Sequence, residues 1–351
     1  MDRKIGNRNY YYFSGVVHIH TTASDGTEGI EKIIATGKEV GLDFMMFADH
    51  MTLEHKENGH EGWHGKTLVV IGYEHNDAAD KNHYLLFGSP RVYPASLTTR
   101  EYVAAAAADR VLGILAHPDE NRSRMGKYPP YPWTEWSVDG FQGMELWNQM
   151  SEWMEKLTPW NKVALAFSPR KSMVGPTERL LKIWDEINLK KRCVGLASVD
   201  AHAFPIKVGP LTVSIFPYKV HFKALRTHII LSEPLAEDFE TAREQLFDAI
   251  RESRVFFSNM RWGAADDFEF YAVNDTGLVI TGGTLGLDDR TRLLVKLPRR
   301  ATLKIIADGQ KVIETVADEL EYTVTRKGIY RVEAWKKKRG WIFSNHIRIG
   351  V

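Results

Sequence analysis

The chain has 351 residues, which is more than one ordinary hydrophobic core accommodates, so two domains are expected. Apolar residues make up 44% of the chain, charged residues 26%, and the net charge is +1, so the sequence gives no electrostatic reason to expect nucleic acid or an anionic membrane as a partner. A single cysteine, Cys193, excludes an intrachain disulfide framework and a cysteine-rich zinc site.

The chain shows no targeting or membrane-spanning segment. The N-terminal stretch MDRKIGNRNYYYFSG lacks the apolar core of a signal peptide. No stretch approaches the ~18 apolar residues that a membrane helix needs. The sequence therefore predicts a cytoplasmic protein that binds neither a membrane nor nucleic acid, and it leaves open whether the protein is a homo-oligomer.

The first two thirds of the chain alternate short apolar runs with helical patterns. Amphipathic helices are predicted over 27–41, with Thr27 as the N-cap, over 100–112 and over 177–192. Strand and helix alternating this often favour a parallel sheet with both faces covered. The count suits a TIM-like barrel, and a doubly wound open sheet is the alternative. The apolar runs are GVVHIH (15–20), DFMMFADH (43–50), LVVIGYE (68–74), HYLLFG (83–88), GILAHP (113–118), GMELWN (143–148) and VGLASVDAH (194–202).

The pattern changes after a further amphipathic helix predicted over 235–253. From about residue 260 onward the sequence is typical of short strands with alternating apolar and polar residues, and Asp308-Gly309 is typical of a hairpin turn. We therefore predict a barrel domain over 1–258 and a small all-β sandwich domain over 259–351.

Histidine is concentrated in the first third of the chain, where nine of the 13 histidines precede residue 120. His18 and His20 end an apolar run at positions i and i+2, which point the same way in a strand. Asp200 and His202 repeat this spacing. The other candidates at or beside the end of an apolar run are Asp25, His50, Glu74, His83 and His117, of which His83 opens its run instead.

Each of these residues alone could be a buried core histidine or a helix cap. Together, they would gather several imidazoles and carboxylates at the carboxyl ends of the barrel strands, where active sites of such barrels lie. Desolvation and like-charge repulsion would make that arrangement costly unless cations were bound. Mixed imidazole and carboxylate ligands suit Zn, Mn or Fe, so the sequence predicts a site for divalent transition-metal ions.

In this order the motifs HxH, SDG, ADH, GYE, NHYLLFG, AHP and DAH resemble the PHP (polymerase and histidinol phosphatase) superfamily, over residues 15 to about 205. The resemblance implies a distorted TIM-like (β/α)7 barrel with three metal ions. The runs RTHIIL (226–231) and RVFFSN (254–259) resemble the CehA-like (carbaryl-hydrolase-like) branch. By the resemblance, the first metal is held by His18, His20, Glu74 and Asp200, the second by Glu74, His83 and His117, and the third by Asp25, His50 and His202.

The predicted reaction is hydrolysis of a phosphoester in a small phosphorylated metabolite or nucleotide. A hydroxide bridging two metal ions would attack phosphorus while the metals neutralise the developing charge. The same hydroxide could attack a carbonyl carbon, so hydrolysis of a carboxyl or carbamoyl ester or amide is the alternative, and a non-catalytic PHP module is a third reading. The predicted catalytic residues are His20, Glu74, Asp200 and His228.

Some further residues are candidates for supporting roles. Asn148 ends the run GMELWN and could orient a ligand. Guanidinium and ammonium groups could bind a substrate phosphate, although surface charge is the simpler interpretation of each. These candidates are Arg122, Arg124, Arg170 and Lys171.

Overall fold

The computed structural model of the chain describes residues 2–6, 8–122, 129–208 and 211–351. The chain forms two compact units. We call the first the histidine-rich unit, which comprises Ser14–Met173 and Ala197–Arg226. We call the second the strand-rich unit, which comprises Met1–Phe13, Val174–Leu196 and Thr227–Val351.

The described residues form strands, α-helices and two 3-10 helices. The strands are β1 (Asp2–Ile5), β2 (Arg8–Ile19), β3 (Phe44–His50), β4 (Gly62–His64), β5 (Thr67–His75), β6 (Tyr84–Phe87), β7 (Leu112–Leu115), β8 (Gly143–Asn148), β9 (Val194–Ser198), β10 (Phe204–Val208), β11 (Leu211–Ile215), β12 (Leu225–Leu231), β13 (Val255–Asn259), β14 (Glu269–Asn274), β15 (Gly277–Ile280), β16 (Thr284–Leu285), β17 (Arg292–Ala307), β18 (Gln310–Thr323), β19 (Gly328–Lys336), β20 (Arg339–Ser344) and β21 (Ile347–Ile349). The helices are α1 (Ile30–Val40), α2 (Glu54–Glu57), α3 (Thr99–Ala108), α4 (Gln149–Lys156), α5 (Lys162–Phe167), α6 (Glu178–Asn188), α7 (Tyr218–His221) and α8 (Phe239–Arg251), with 3-10 helices at Pro169–Lys171 and Met260–Trp262.

A mixed sheet organises the histidine-rich unit. Residues 15–19 of β2 pair in parallel with β3, and β3 pairs in parallel with β5. Strand β6 then runs antiparallel to both β5 and β7, and β7 is again parallel to β8. The predicted all-parallel sheet is therefore wrong at the run HYLLFG, which forms β6. The mixed α/β class agrees with the prediction, whereas closure into a seven-stranded barrel stays a prediction.

Helix α1 covers buried strands of this sheet. It buries Ile30, Ile33 and Ile34, which recur at the spacing of one helical face. Gly37 also lies on this face, because a Cβ there would approach the Met45 sulfur to 2.3 Å. The predicted N-cap is wrong, since the helix begins after Gly29, and the Thr27 hydroxyl instead donates to the backbone carbonyl of His202 at 2.9 Å.

Antiparallel strands dominate the strand-rich unit. Strands β17 and β18 form a long hairpin, in which the predicted Asp308-Gly309 turn joins Ala307 and Gln310 of the facing strands. Both turn residues have the positive φ of a type I′ turn, 49° and 77°. Strand β19 pairs with β17, β20 and β21. The fully buried core includes Leu303, Ile305, Val332, Trp341 and Ile347.

Helix α6 belongs to the strand-rich unit because its buried face is tied to these strands by charge. Asp185 accepts two hydrogen bonds from the Arg331 guanidinium, at 2.7 and 2.8 Å, and lies 2.7 Å from the His346 ring. Arg331 also pairs with Glu333 at 2.6 Å. The two units are therefore assembled from separate segments and differ from the predicted continuous ranges 1–258 and 259–351. The sandwich arrangement of the second domain stays a prediction.

Hydropathy along the helices gives one further result. Among the residues that the structure describes, no helix is both long enough and apolar enough to cross a membrane.

Candidate metal centre

A single carboxylate, that of Glu74 at the end of β5, lies at the centre of the predicted ligand set. It is 1% exposed, and both of its oxygens face imidazoles. The oxygen Oε2 lies 3.0 Å from His18 Nε2, 3.4 Å from His20 Nε2 and 3.4 Å from His50 Nδ1. The oxygen Oε1 lies 2.8 Å from His83 Nδ1 and 3.1 Å from His117 Nε2. One buried carboxylate thus divides five histidines into two groups.

A second cluster of contacts joins the remaining predicted ligands. Asp25 Oδ1 lies 3.1 Å from His202 Nε2 and 3.4 Å from His20 Nδ1, and Asp25 Oδ2 lies 3.8 Å from His50 Nε2. Asp200 Oδ1 lies 3.3 Å from His202 Nδ1 and 3.5 Å from His20 Nε2. The structure therefore brings together, within the histidine-rich unit, all nine residues predicted as ligands.

Three sets of these side chains have potential ligand atoms that all lie within 4.8 Å of one another. The first of these sets, His18, His20 and Glu74, repeats most of the first predicted metal site. The third set, His20, Asp25, His50 and His202, contains the whole of the third predicted site. The second set shares Glu74 and His83 with the second predicted site, but has His50 where the prediction has His117. The sets are His18, His20 and Glu74; His50, Glu74 and His83; and His20, Asp25, His50 and His202.

The local backbone explains how the ligands converge. His18 lies in a bulge of β2, where the register with β3 shifts between Val17 and Ile19. Its φ is +70°, and the ring centroids of His18 and His20 are 4.9 Å apart. The two rings therefore converge as predicted, but through a bulge and not through the alternation of a regular strand. Asp200 and His202 likewise follow the end of β9 and are not part of it.

Three of the nine predicted ligands have backbones in the left-handed region. The φ angles are +70° at His18, +28° at His117 and +49° at Asp200. Such a conformation costs a non-glycine residue on the order of 1–3 kcal/mol, and it persists only where the surrounding structure imposes it. Strained backbone gathered at one cluster is typical of functional sites.

The direction of β6 explains the unusual place of His83. Because β5 and β6 are antiparallel, with Glu74 facing Leu85 and His75 facing Tyr84, the start of β6 lies beside the end of β5. A ligand that opens an apolar run therefore meets ligands that close other runs. The sequence contained this signal as a single exception to the pattern.

Glu145 in β8 is a functional candidate that the sequence analysis missed. Its Oε1 lies 2.7 Å from His18 Nδ1, and its Oε2 accepts hydrogen bonds from the His117 backbone N–H at 2.7 Å and from the Asn148 amide at 2.9 Å. A carboxylate bonded to the second nitrogen of a ligating imidazole fixes its orientation and raises its basicity. The available signal was a carboxylate inside the apolar run GMELWN. The predicted orienting role of Asn148 fits these contacts, since its amide also lies 3.3 Å from Asp200 Oδ2.

Burial lowers the pKa of the imidazoles in this cluster, whereas the neighbouring carboxylates raise it. Burial alone would lower the pKa of His18, but the carboxylates of Glu145 and Glu74 outweigh it and hold that pKa well above its usual value. Burial also acts to lower the pKa of His20, and the nearby carboxylates of Asp200 and Glu74 instead raise it to about 9. Both rings therefore lie in a strongly negative environment.

The pKa values of His83, His50 and Glu74 also depend on burial and on neighbouring charges, but the direction of the shift differs among them. For His83, burial is outweighed by Glu74 and Asp80, which raise its pKa to about 9. For His50, burial prevails and lowers the pKa to about 4. Burial would raise the pKa of Glu74, but the surrounding imidazoles, led by His18, hold it well below its usual value. The carboxylate at the centre is thus held in its anionic form.

The donor set fits divalent transition-metal ions. Three ring nitrogens, His20 Nε2, His83 Nε2 and His117 Nδ1, are buried near carboxylates but form no hydrogen bond of normal geometry among the described residues. Buried polar atoms are nearly always satisfied, so such atoms in one cluster indicate a missing partner. Imidazole nitrogens combined with carboxylate oxygens are the ligands of Zn, Mn and Fe sites.

The supporting candidates have varied surroundings. His228 belongs to the strand-rich unit, where its Nε2 lies 2.8 Å from the Ser258 hydroxyl and its ring stacks on Phe256 at 4.3 Å. These contacts account for its burial, and its catalytic role stays a prediction. Arg170 donates a hydrogen bond at 2.9 Å to the backbone carbonyl of Lys223. Arg124 lies outside the described residues.

Arg122 is the phosphate-binding candidate connected to the predicted ligands. Its guanidinium pairs with Glu120 and lies 5.8 Å from the ring centroid of Tyr131. The Tyr131 ring in turn stacks on His83, with centroids 4.8 Å apart and planes inclined by 17°. An aromatic ring and a guanidinium thus stand beside the predicted metal ligands.

Comparisons with known proteins give structural likenesses at low sequence identity. No family model matches the chain, and no curated protein matches it in sequence. The chain is similar to a two-domain protein from Bacteroides vulgatus that contains a predicted PHP-like metal-dependent phosphoesterase, with 11% identity and a TM-score of 0.47 over 96% of this chain and 95% of that one.

Two further solved structures are similar to shorter parts of the chain. One is a protein from Bifidobacterium adolescentis described as a putative metal-dependent phosphoesterase, with 16% identity and a TM-score of 0.38 over 66% of this chain and 94% of that one. The other is PsfC from Pseudomonas syringae, with 11% identity and a TM-score of 0.40 over 70% of this chain and 98% of that one.

Proposed function

We propose that this chain is a PHP-type metallohydrolase that hydrolyses phosphoesters of small molecules at a site for three divalent metal ions. The observation that carries the proposal is the position of Glu74, whose two oxygens face two separate groups of imidazoles. A carboxylate so placed is suited to bridge two cations. The assignment to the PHP superfamily rests on this arrangement together with the order of the motifs.

The metals, when bound, would act as Lewis acids and lower the pKa of bound water from ~16 to about 7. The protein supplies the rest. Glu145 holds the ring of His18 in place, and the Asn148 amide bonds both Glu145 and Asp200. These contacts fix ligand orientation before substrate arrives, which is where much of the catalytic advantage of a preorganised site originates.

Arg122 supports a phosphoester over a carbonyl substrate. A guanidinium binds phosphate oxygens through two parallel hydrogen bonds, which a neutral ester or carbamate does not require. Its Nε is buried without a hydrogen-bond partner among the described residues, and its side chain contacts Tyr131 beside His83. We propose that this group binds the non-bridging oxygens of the substrate phosphate.

The test is an activity screen on protein reconstituted with Mn, Zn or Fe and checked for metal content. The substrates are p-nitrophenyl phosphate and a nucleotide panel, with p-nitrophenyl acetate and an aryl carbamate as carbonyl substrates. We expect turnover of phosphoesters. No phosphoester turnover at full metal occupancy would overturn the proposal, and turnover of the carbonyl substrates alone would favour the alternative reaction.

Arg122→Ala tests substrate binding separately from metal binding. It should raise KM for a phosphoester about tenfold, the equivalent of one charge-assisted hydrogen bond, with metal content unchanged. Arg100→Ala is the matched control, because Arg100 is an exposed arginine of the same unit and should leave KM unchanged. An unchanged KM in Arg122→Ala would remove this residue from the substrate site.

A further inference from the structure

A positively charged cleft lies within the strand-rich unit, formed by residues that the proposed reaction does not use. Its volume is about 740 Å³, which is within the range of small-molecule sites, roughly 300–1,000 Å³. Its charged lining residues are Arg8, Arg192, Arg254 and Glu252, so three positive charges against one negative charge leave a net charge of +2.

The arginines of this cleft are only partly neutralised. Arg254 forms an ion pair with Glu252 at 3.0 Å, but its Nε is buried without a hydrogen-bond partner among the described residues. Arg192 donates to the backbone carbonyls of Glu252 and Gly282, which orient its guanidinium but carry no full negative charge. Arg8 has no ion pair within the part of the chain that the structure describes.

The pKa shifts of the arginines also indicate that their charges are only partly neutralised. Burial lowers the pKa of Arg192; the Glu252 carboxylate opposes this effect, and the positive charge of Arg254 adds to it. Arg348 has its pKa lowered by burial and by the charge of Arg192. Arginine stays protonated in proteins, so burial first and repulsion between the guanidinium groups second disfavour these charges, and a bound anion would offset both effects.

The uncharged lining combines polar side chains, those of Asn9, Ser232 and Thr281, with apolar and aromatic ones. Leu278, Val279 and Ile280 form one wall with the half-buried ring of Tyr11. Charged groups at one part of a concave site and an apolar wall at another are typical of sites for small organic ligands that carry one ionised group. Inorganic ions alone would leave the apolar wall without a contact.

We propose that this cleft binds a small organic anion, whose phosphate or carboxylate group contacts the guanidinium groups of Arg192 and Arg254 while its apolar body packs on the wall formed by residues 278–280. The cleft is a ligand site separate from the predicted metal ligands. The proposal does not depend on the proposed phosphoesterase activity, because its readout is binding.

The experiment is calorimetric titration of the full chain with phenyl phosphate, with benzoate and with neutral benzyl alcohol. We expect at least one of the two anions to bind, with Arg254→Ala weakening binding about tenfold or more, since hydrogen bonds between ionised groups are the strong ones. Glu252→Gln should tighten binding several-fold because it removes the competing carboxylate. Preference between the two anions identifies which ionised group the cleft accepts.

Matched variants separate this cleft from the metal centre and from unfolding. Arg290→Ala is the control, because Arg290 is an exposed arginine of the same unit that pairs with Asp275. Arg254→Lys keeps the charge but loses the fork of donors, and it should bind with intermediate affinity. Phosphoester hydrolysis should be unchanged in Arg254→Ala. Equal binding by wild type, Arg8→Ala and Arg254→Ala, binding of benzyl alcohol as tight as that of the anions, or no anion binding at millimolar concentration would overturn the proposal.

Discussion

Each unit of this protein buries a cluster of charged side chains, and the two clusters are balanced in different ways. In the strand-rich unit, Asp185 accepts two hydrogen bonds from a guanidinium that is always charged, and the side chain of His346 completes the set. In the histidine-rich unit, Glu74 is surrounded by imidazoles, whose positive charge requires a proton. Ring nitrogens without a hydrogen bond occur in both clusters, His346 Nδ1 in the first and His20 Nε2, His83 Nε2 and His117 Nδ1 in the second. The difference between the clusters therefore lies in the charge that faces the carboxylate.

The difference separates a structural role from a functional one. A buried carboxylate with a fixed guanidinium partner gains nothing from an added cation. A buried carboxylate among neutralisable imidazoles is a site at which a divalent cation can replace protons. A buried charged cluster is therefore not by itself evidence of a metal site. What distinguishes the two clusters is whether the positive partner of the carboxylate is always charged or is charged only when protonated.

The strongest test of this comparison is Glu74→Gln, which keeps the shape of the side chain and removes its charge. We expect loss of bound metal and a fall in phosphoester turnover of about 1,000-fold or more, which corresponds to ~4 kcal/mol of transition-state stabilisation. Metal content by mass spectrometry and kcat/KM are the measurements. Glu54→Gln, an exposed change in the same unit, is the control and should alter neither. Full metal occupancy in Glu74→Gln would contradict the comparison.

The opposite outcome is expected for Asp185→Asn. Removing the Asp185 charge leaves the buried Arg331 with Glu333 as its remaining carboxylate partner and should lower the free energy of unfolding by about 3–5 kcal/mol. Metal content and turnover per folded molecule should be unchanged. Chemical denaturation measures the first effect, and Asp248→Asn, an exposed change on α8 of the same unit, is the control. A selective loss of metal in Asp185→Asn would mean that the two clusters are not independent in function.

Glu145→Gln sharpens the comparison within the histidine-rich unit. The variant keeps the shape beside His18 Nδ1 but weakens the charge that orients the ring. Loss of such an outer contact typically costs about 10–100-fold in metal affinity or activity. Metal affinity is measured by competition with a chelator. Glu152→Gln is the matched control, since Glu152 is also buried in this unit but bonds the Trp147 indole at 2.7 Å. Equal affinities in the two variants would remove Glu145 from the site.

Acid should weaken the cluster of the strand-rich unit through Asp185. Burial acts to raise the pKa of this carboxyl, but hydrogen bonds from Arg331 and His346 lower it to about 2. Because the pKa is lower in the folded state than its ordinary value of about 4, the contribution is present above pH ~4 and is lost as the pH falls toward 2. The free energy of unfolding should decline by about 2 kcal/mol over this interval. Asp185→Asn should lack this component, and identical pH profiles for the two proteins would contradict the assignment.

Much of the candidate site could be predicted from the sequence because the ligands lie at the ends of apolar runs. Glu74 and His50 lie at the ends of buried strands and His117 follows one, and strand ends brought together in one sheet bring such side chains together. His83 did not fit, because antiparallel pairing is a property of the sheet and leaves no mark on a four-residue strand. Glu145 was missed because it lies inside a run that was interpreted only as a buried strand.

Other parts of the fold were beyond local patterns. The i, i+2 spacing of His18 and His20 correctly predicted that their rings converge, but the alternation of a regular strand is not the cause. The rings converge because of a bulge in β2, which depends on pairing with β3. The membership of α6 in the strand-rich unit depends on Asp185 meeting Arg331, 146 positions further along the chain. The hairpin at Asp308-Gly309 was predictable, because its turn chemistry is local.

The left-handed backbones of His18, His117 and Asp200 have a consequence for how the protein would respond to its surroundings. Their conformations are held by the sheet and the loops around it, so the fold itself shapes the coordination shell before any ion arrives. Cations could then leave and return without refolding of the chain. On the proposed function, turnover would then follow the concentration of free metal without a refolding step.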